Sequence, residues 1–409
     1  MRILIITENY PPETNAPAAR ISERNRFWLA QGHQVTVITQ APNFPTGKVF
    51  EGYENRWYHV EDMNGVRVVR VKTYVAPNEG FARRILDFVS FMHNAFWAAL
   101  FEPRPDVVVG CSPQFFAAVA GWAIAAVRRR PFVMEVADLW PASIRAVGAM
   151  KQSRMLDLLE KVELFLYRRS AAVVALAPSF KRDLIARGID ESKVHVVING
   201  VDQELYVPRE KDVGLLDEWK LRGKFVIGYL GTHGMAHALH NVIDAANLLR
   251  ARDDVRFLMV GTGAMRAQIE ADAARRGLSN VVFVPRQPKE RMPAFWSLCD
   301  MALIHLKNDQ VFAGVIPSKI FEAMAMRLPL LFVGPRGDGS EIIEKERAGV
   351  VVGAEDPPAF AAAVIALADD RQRVGALAAN SLQAAPLYSR ARQAHDMLCV
   401  LQKVTGGQS

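Results

Sequence analysis

The chain has 409 residues, half of them hydrophobic, and a net charge of +7. That length exceeds one ordinary core and points to two domains. Three distant cysteines, Cys111, Cys299 and Cys399, offer no metal spacing and fit a reducing compartment, and without any nucleic-acid module signature the positive charge suits anionic lipid or a phosphorylated substrate.

Arg2 to Thr7 reads as a buried parallel strand, with an apolar run too short for a signal peptide. A polar loop from Glu8 to Pro17 leads into a helix that runs to about Gln31 and stops at Gly32. Gln34 to Thr39 is the second strand. This β-loop-α-β order opens a doubly wound sheet, whose ligands bind at the carboxyl ends of its strands. Val66 to Val71 is a further strand, and Phe81 to Phe101 is a helix rich in aromatics with Arg83 and Arg84 near its start. Val107 to Val127 carries no charge and is long enough to cross a bilayer. Gly110-Cys111-Ser112-Pro113-Gln114 breaks it, so a buried strand, Asp106 to Gly110, and a buried helix, Phe115 to Val127, explain it better. Pro131 to Val136 is a strand ending in Ala137-Asp138-Leu139-Trp140-Pro141. Met155 to Tyr167 is an amphipathic helix, and strands at Ala171–Ala175 and Val194–Ile198 close the first half.

Asn199-Gly200-Val201-Asp202 is a turn, and the segment to about Gly223 reads as a linker. The alternation then restarts. Lys224 to Leu230 runs into Gly231-Thr232-His233-Gly234 and a helix to about Arg250. Arg256 to Val260 runs into Gly261-Thr262-Gly263 and a helix to Arg276. Val281 to Val284, Asp300 to His305, Pro329 to Val333 and Gly349 to Val352 are the remaining strands. Two α/β domains with a cleft between them follow from this order.

The stretch Gly314-Val315-Ile316-Pro317-Ser318-Lys319-Ile320-Phe321-Glu322 carries the most chemistry. Pro317 suits the first helical position, the amides of that turn make an anion site, and Lys319 adds a cation. Glu322 lies one turn deeper on the same face, placed for sugar hydroxyls. The plain alternative is a capped helix with an exposed Lys319–Glu322 pair. His233 and His237 flank the first glycine turn in an approach open to an anion, or are packed side chains. Gly261 and Gly263 belong to a phosphate turn or serve close packing.

Asn199-Gly200-Val201-Asp202, the turn before His233, the Val260-Gly261-Thr262-Gly263 turn and Glu322-Ala323-Met324-Ala325 resemble, in order and spacing, the retaining GT-B glycosyltransferases of family four. Asp138-Leu139-Trp140-Pro141, Pro317-Ser318-Lys319 and Asn15-Ala16-Pro17-Ala18-Ala19-Arg20 bring the chain close to the bacterial N-acetylfucosamine transferase type of O-antigen and capsule synthesis. The resemblance implies two Rossmann-like domains, 1–200 for the acceptor and 201–384 for the nucleotide-sugar, with a C-terminal helix in about 385–409 packing back on the first. It implies a UDP-sugar donor, a lipid-linked (undecaprenyl-diphosphate-type) saccharide acceptor, no cofactor and no metal, and work at the cytoplasmic face of the inner membrane. Glu322 would bind ribose, Lys319, Ser318 and the amides near Val315 and Ile316 the diphosphate, and the backbone of Arg286 and Gln287 the base. His233, Gly234 and His237 stand where many relatives hold phosphate with arginine and lysine, and Asp138 is the candidate from the first domain. Two departures stand out: Gly314 replaces a glutamate that touches the donor sugar in many members, and Ala137 replaces a polar residue before Asp138. They keep open a catalytically inactive sugar-nucleotide binder; a GT-B UDP-N-acetylglucosamine epimerase is the other alternative.

Overall fold

Val107-Val108-Val109-Gly110-Cys111 is buried along its whole length, the pattern of a parallel strand with both faces covered. The computed structural model describes the chain except for residues 45, 76–80, 113–114, 140–153 and 407–409. The described residues divide into two compact units, Met1–Asn199 with Arg390–Ser409, and Gly200–Ser389.

The strands of the first unit are β1 (Arg2–Ile6), β2 (Gln34–Gln40), β3 (Tyr58–Met63), β4 (Val66–Val71), β5 (Val107–Cys111), β6 (Phe132–Val136), β7 (Ala172–Ala175) and β8 (Val194–Val196). They lie in the order β3-β4-β2-β1-β5-β6-β7-β8. All neighbours are parallel except β3, which pairs antiparallel with β4 at the edge. Its described helices are α1 (Ala16–Ala30), α2 (Phe81–Phe101), α3 (Phe115–Arg128), α4 (Arg154–Arg169) and α5 (Pro178–Ala186), and the chain returns to it as α14 (Arg390–Val404). Alternate side chains of each strand feed opposite layers. Val108 packs among residues of α2, α3, α4 and α5, whereas Val107 and Val109 pack with α1 and α14. The Trp28 indole N–H donates to the Ala394 carbonyl at 2.9 Å, fixing α14 against α1.

Two segments outside the sequence expectation are β3, whose polar residues hide its strand period, and α5. Beneath α1, Glu135 is buried and accepts from Arg20 and Arg24, each at 3.0 Å. Burial works against its charge, but the two guanidiniums win and hold the carboxyl down at about 2.

The second unit contains α6 (Val213–Glu218), β9 (Phe225–Leu230), α7 (His240–Leu248), β10 (Val255–Val260), α8 (Arg266–Arg275), β11 (Val281–Val284), α9 (Met292–Ser297), β12 (Met301–His305), α10 (Lys319–Ala325), β13 (Leu330–Val333), α11 (Asp338–Lys345), β14 (Gly349–Val352), α12 (Pro357–Ala368) and α13 (Arg371–Ala384). The expected linker thus contains α6. The six strands are all parallel, in the order β11-β10-β9-β12-β13-β14. The order reverses between β9 and β12, and an open α/β sheet offers a ligand crevice at the carboxyl ends of such a pair. Among the described residues no helix is long and apolar enough to cross a membrane.

Candidate functional site

The loops after β9, β10 and β12 meet at this switch point. Gly231 has φ +137°, and a Cβ there would lie 3.2 Å from the Lys319 Nζ. Gly261 has φ +143°, and its Cβ would stand within covalent range of the Gly231 carbonyl oxygen. Only glycine fits either place. The turns are also zipped by hydrogen bonds: Gly231 N–H to the Val260 carbonyl and His233 N–H to the Thr262 carbonyl, both 2.9 Å. Gly261 and Gly263 therefore serve close packing of one turn on the other.

Tyr229, at the end of β9, is the hub. Its hydroxyl donates to the Thr232 carbonyl at 2.7 Å. The Lys319 ammonium sits 3.7 Å from its ring centroid, and the rings of His233 and His237 lie 5.6 and 5.8 Å away. His233 is buried, the packed arrangement of the two that the sequence left open, and neither of its ring nitrogens has a hydrogen-bond partner among the described residues. His237 Nδ1–H donates to the His305 carbonyl at 3.2 Å, and the buried His305 ring packs near Phe360.

Burial lowers the lysine and the three histidines here. It takes Lys319 down to about 7, with Glu322 opposing from a distance. His233 falls to about 4 through burial and then the fields of Arg266 and Lys319. His237 also falls to about 4, through burial and Lys319, and burial takes His305 to about 3. At neutral pH the imidazoles are uncharged and the lysine is held far below its ordinary range. Its Nζ has no hydrogen-bond partner among the described residues. A buried cation in that condition is costly unless a negative group joins it.

The stretch around α10 corrects the sequence reading in two ways and removes its plain alternative. The helix begins at Lys319, with Ser318 as its cap, so Pro317 lies two residues before it. Some of the amides are already used: Ile320 donates to the Pro317 carbonyl, Phe321 and Glu322 to Ser318, and Val315 donates to Phe312. The Val315 amide is thereby withdrawn from the expected diphosphate site, and Lys319 remains that site's cation. Lys319 is buried, which rules out the plain alternative of an exposed Lys319–Glu322 pair. Glu322 accepts from the indole N–H of the buried Trp296 at 3.2 Å.

Of the remaining candidates, Gly234 opens the 3-10 turn that carries His237. Ile316 and Ser318 lie in the loop before α10. Gly314 ends a 3-10 turn, Gln310–Gly314, capped by Asp309. Arg286 and Gln287 follow β11 at the surface, where the Gln287 side chain donates to the Pro285 carbonyl at 3.1 Å. Asp138 stands half-buried after β6 in the first unit; the Ala137 N–H before it donates to Ser112 Oγ at 2.9 Å, and Trp140 and Pro141 fall outside the described residues. The structure thus gathers His233, Gly234, His237, Gly261, Gly263, Lys319 and Glu322 in the second unit. Tyr229, Trp296 and Arg266 escaped sequence reasoning. Tyr229 and Trp296 read as core, and Arg266, whose guanidinium holds the carbonyls of Met259, Gly261 and Val284, reads as a helix-surface residue. Among the described residues no group of histidine, cysteine and carboxylate side chains is arranged to hold a metal ion.

Two Rossmann-like α/β domains with parallel sheets, the second carrying a glycine-lined lysine at its switch point, define a protein of the GT-B architecture. The family model for the glycosyl transferase 4-like domain matches residues 17–200, and that for glycosyl transferases group 1 matches residues 224–370. The chain belongs to this group 1, family-four-like class of GT-B glycosyltransferases. It is 28% identical over 338 residues to WcaI of Escherichia coli strain K12, a glycosyl transferase named for colanic acid biosynthesis, covering 80% of this chain and 81% of that one. It is 27% identical to a GDP-mannose-dependent alpha-mannosyltransferase of Mycobacterium tuberculosis, covering 93% and 92%. Anabaena Alr3699/HepE in complex with UDP shares the fold at a TM-score of 0.70 and 16% identity, over 98% of this chain and 100% of that one.

Proposed function

We propose that the chain transfers a sugar from a UDP-sugar, with retention and without a metal, to a lipid-linked saccharide of the undecaprenyl-diphosphate type. The product is an intermediate of a bacterial surface polysaccharide such as O-antigen, capsule or lipopolysaccharide, made at the cytoplasmic face of the inner membrane. The observation that carries this reading is Lys319: a buried amine without a hydrogen-bond partner among the described residues, beside the side-chain-free Gly231, at the switch point of a family whose members transfer sugars. A diphosphate leaving group supplies the missing negative charge, and its developing charge in the transition state is what Lys319 stabilises. Glu322, held by Trp296, takes the ribose hydroxyls, the backbone near Arg286 and Gln287 frames the base, and Asp138 is the acceptor-side candidate. WcaI supports the polysaccharide assignment by its name, and HepE supports UDP by the ligand it binds.

Gly314 favours a donor of the N-acetylfucosamine kind, an N-acetylated 6-deoxyhexose. Without a side chain it offers no acceptor to a sugar hydroxyl, and a methyl or acetamido group in the vacated space gains about 0.8 kcal/mol per buried carbon. The mannosyltransferase relative makes GDP the rival nucleotide. A thermal-shift panel of UDP, GDP and dTDP decides between them. A ligand at ~100 times its Kd stabilises the protein by about 2.7 kcal/mol. UDP is expected to give the largest shift; a larger shift with GDP overturns the nucleotide assignment.

A further inference from the structure

The first unit carries an open groove of about 450 Å³ lined by Trp57, Tyr58, Asn94, Trp97, Ala98 and Phe101. It forms where the edge strand β3 begins and the last turns of α2 pass beside it. Its aromatics are not core side chains: Trp57 is 68% exposed, Trp97 51% and Phe101 77%. Soluble surfaces rarely gather rings of this size at one place without an occupant. The apolar surface continues along the helical layer. At the end of α3, Val127 is exposed; on α4, Leu158 is exposed and Phe165 is partly so, edge-on to Trp122 at 4.9 Å.

Charge selects the occupant. The Lys72 ammonium stands 4.8 Å from the Trp57 ring centroid, and the Arg169 guanidinium 5.6 Å from that of Phe165, so long cationic chains reach past exposed rings at two separate places. Arg104 and Arg128 close the end of α2. Arg128 donates to the carbonyls of Leu100 and Glu102, and Arg104 donates to the Arg128 carbonyl at 3.0 Å. Arg129 beside them is exposed. The one acid of α2, Asp87, is buried, and so is Glu102, which is committed to Arg67 and the Tyr58 hydroxyl. Rings with polar tips, flanked by snorkelling cations, match the headgroup region of an anionic bilayer; of the exposed acids nearby, Glu54 is paired with Arg56 at 2.6 Å and Asp157 stands beside Leu158. A protein partner or a second copy of this chain would have to bring a compensating acidic face.

We propose that the Trp57–Phe101 groove and its rim of cations form a docking surface for an anionic phospholipid bilayer. The proposal deepens the function above and rests on it for its purpose, since a membrane-anchored acceptor would be met at that surface.

The test mixes the full chain with vesicles of phosphatidylcholine alone, or with about a third phosphatidylglycerol, and sediments them. The expected result is capture by the anionic vesicles only, weakened severalfold by salt above the physiological range, with a blue shift of tryptophan emission. Trp97→Ser with Phe101→Ser, and separately Lys72→Glu with Arg104→Glu, should each reduce partitioning at least about tenfold. Both pairs should keep the parent's melting temperature and UDP affinity. A parent chain that stays in the supernatant with every vesicle overturns the proposal. So do variants that bind as the parent does, and a dimer abolished by the same variants without any vesicle capture. Transfer to a lipid-free acceptor, assayed in parallel, separates the two claims: normal transfer without vesicle binding sinks the docking surface alone, and absent UDP binding sinks the proposed function alone.

Discussion

Lys319 makes a quantitative prediction about pH. Buried against Tyr229, it titrates near 7 in place of its ordinary 10.5. At 1.36 kcal/mol per unit that displacement corresponds to roughly 4–5 kcal/mol against the charged form. A diphosphate within contact of the ammonium removes most of that penalty and returns the group toward its ordinary range. Binding then takes up a proton wherever the pH lies above the free value and below the bound one. Between about pH 7.5 and 9 the secondary phosphate of UDP, which ionises near 6, no longer changes. The histidines are also silent there, because their values lie near 4 and 3. Lys319 alone sets the slope, and UDP affinity should fall on the order of tenfold to thirtyfold across that window. The sign for stability is opposite. The unfolded chain keeps its lysine protonated up to about 10.5 and the folded apo chain does not, so the apo protein gains stability as pH rises from about 7 toward 10.5. Calorimetry at both pH values, in two buffers of different ionisation enthalpy, reads the proton directly. The expectation is uptake of close to one proton by the parent, and none by Lys319→Met, which should also bind UDP more weakly and lose the alkaline gain in stability. Equal affinity at both pH values without proton uptake would refute the placement of the diphosphate on Lys319.

Glu322→Gln should weaken UDP binding by about tenfold or more, from the loss of a charged hydrogen bond worth roughly 1.5–3 kcal/mol, while the amide oxygen still accepts from Trp296 and the melting temperature holds; titration calorimetry checks it. Gly231→Ala, at φ +137° and against the lysine ammonium, should cost about 1–3 kcal/mol in denaturant unfolding. Glu135→Gln leaves two buried guanidiniums without their carboxylate and should destabilise the chain by about 3–5 kcal/mol, the change localised to the first unit by hydrogen exchange.

The fold class was legible because parallel strands covered on both faces, such as Val107–Cys111 and Phe225–Leu230, read as unbroken apolar runs between glycine turns. The aromatic helix Phe81–Phe101 was also legible end to end. The edge strand Tyr58–Met63 was not, since its mixed polar and apolar residues carry no burial period. Short helices such as Met292–Ser297 give too few turns for periodicity to register. At the site, Lys319, Glu322 and the glycine turns stood out by residue type, but their physical state did not. Nothing local says that Lys319 folds against a tyrosine from a strand ninety positions earlier. The proline rule placed the helix start at Pro317, and the turn closed by the Ile320 amide onto the Pro317 carbonyl moves it to Lys319. That shift matters for the chemistry, because it engages the Ile320 and Phe321 amides, two of those that the sequence reading had offered to phosphate.

The most direct measurement of the central claim is donor competition. The purified chain receives UDP-N-acetylfucosamine, UDP-N-acetylglucosamine, UDP-glucose and GDP-mannose at equal concentration with a lipid-linked saccharide acceptor, and the product is identified by mass. The account predicts transfer from an acetamido UDP-sugar, the 6-deoxy sugar foremost, abolished or nearly so in Lys319→Met. Preferential transfer of mannose or glucose, or tight UDP binding without transfer of any sugar, would contradict it.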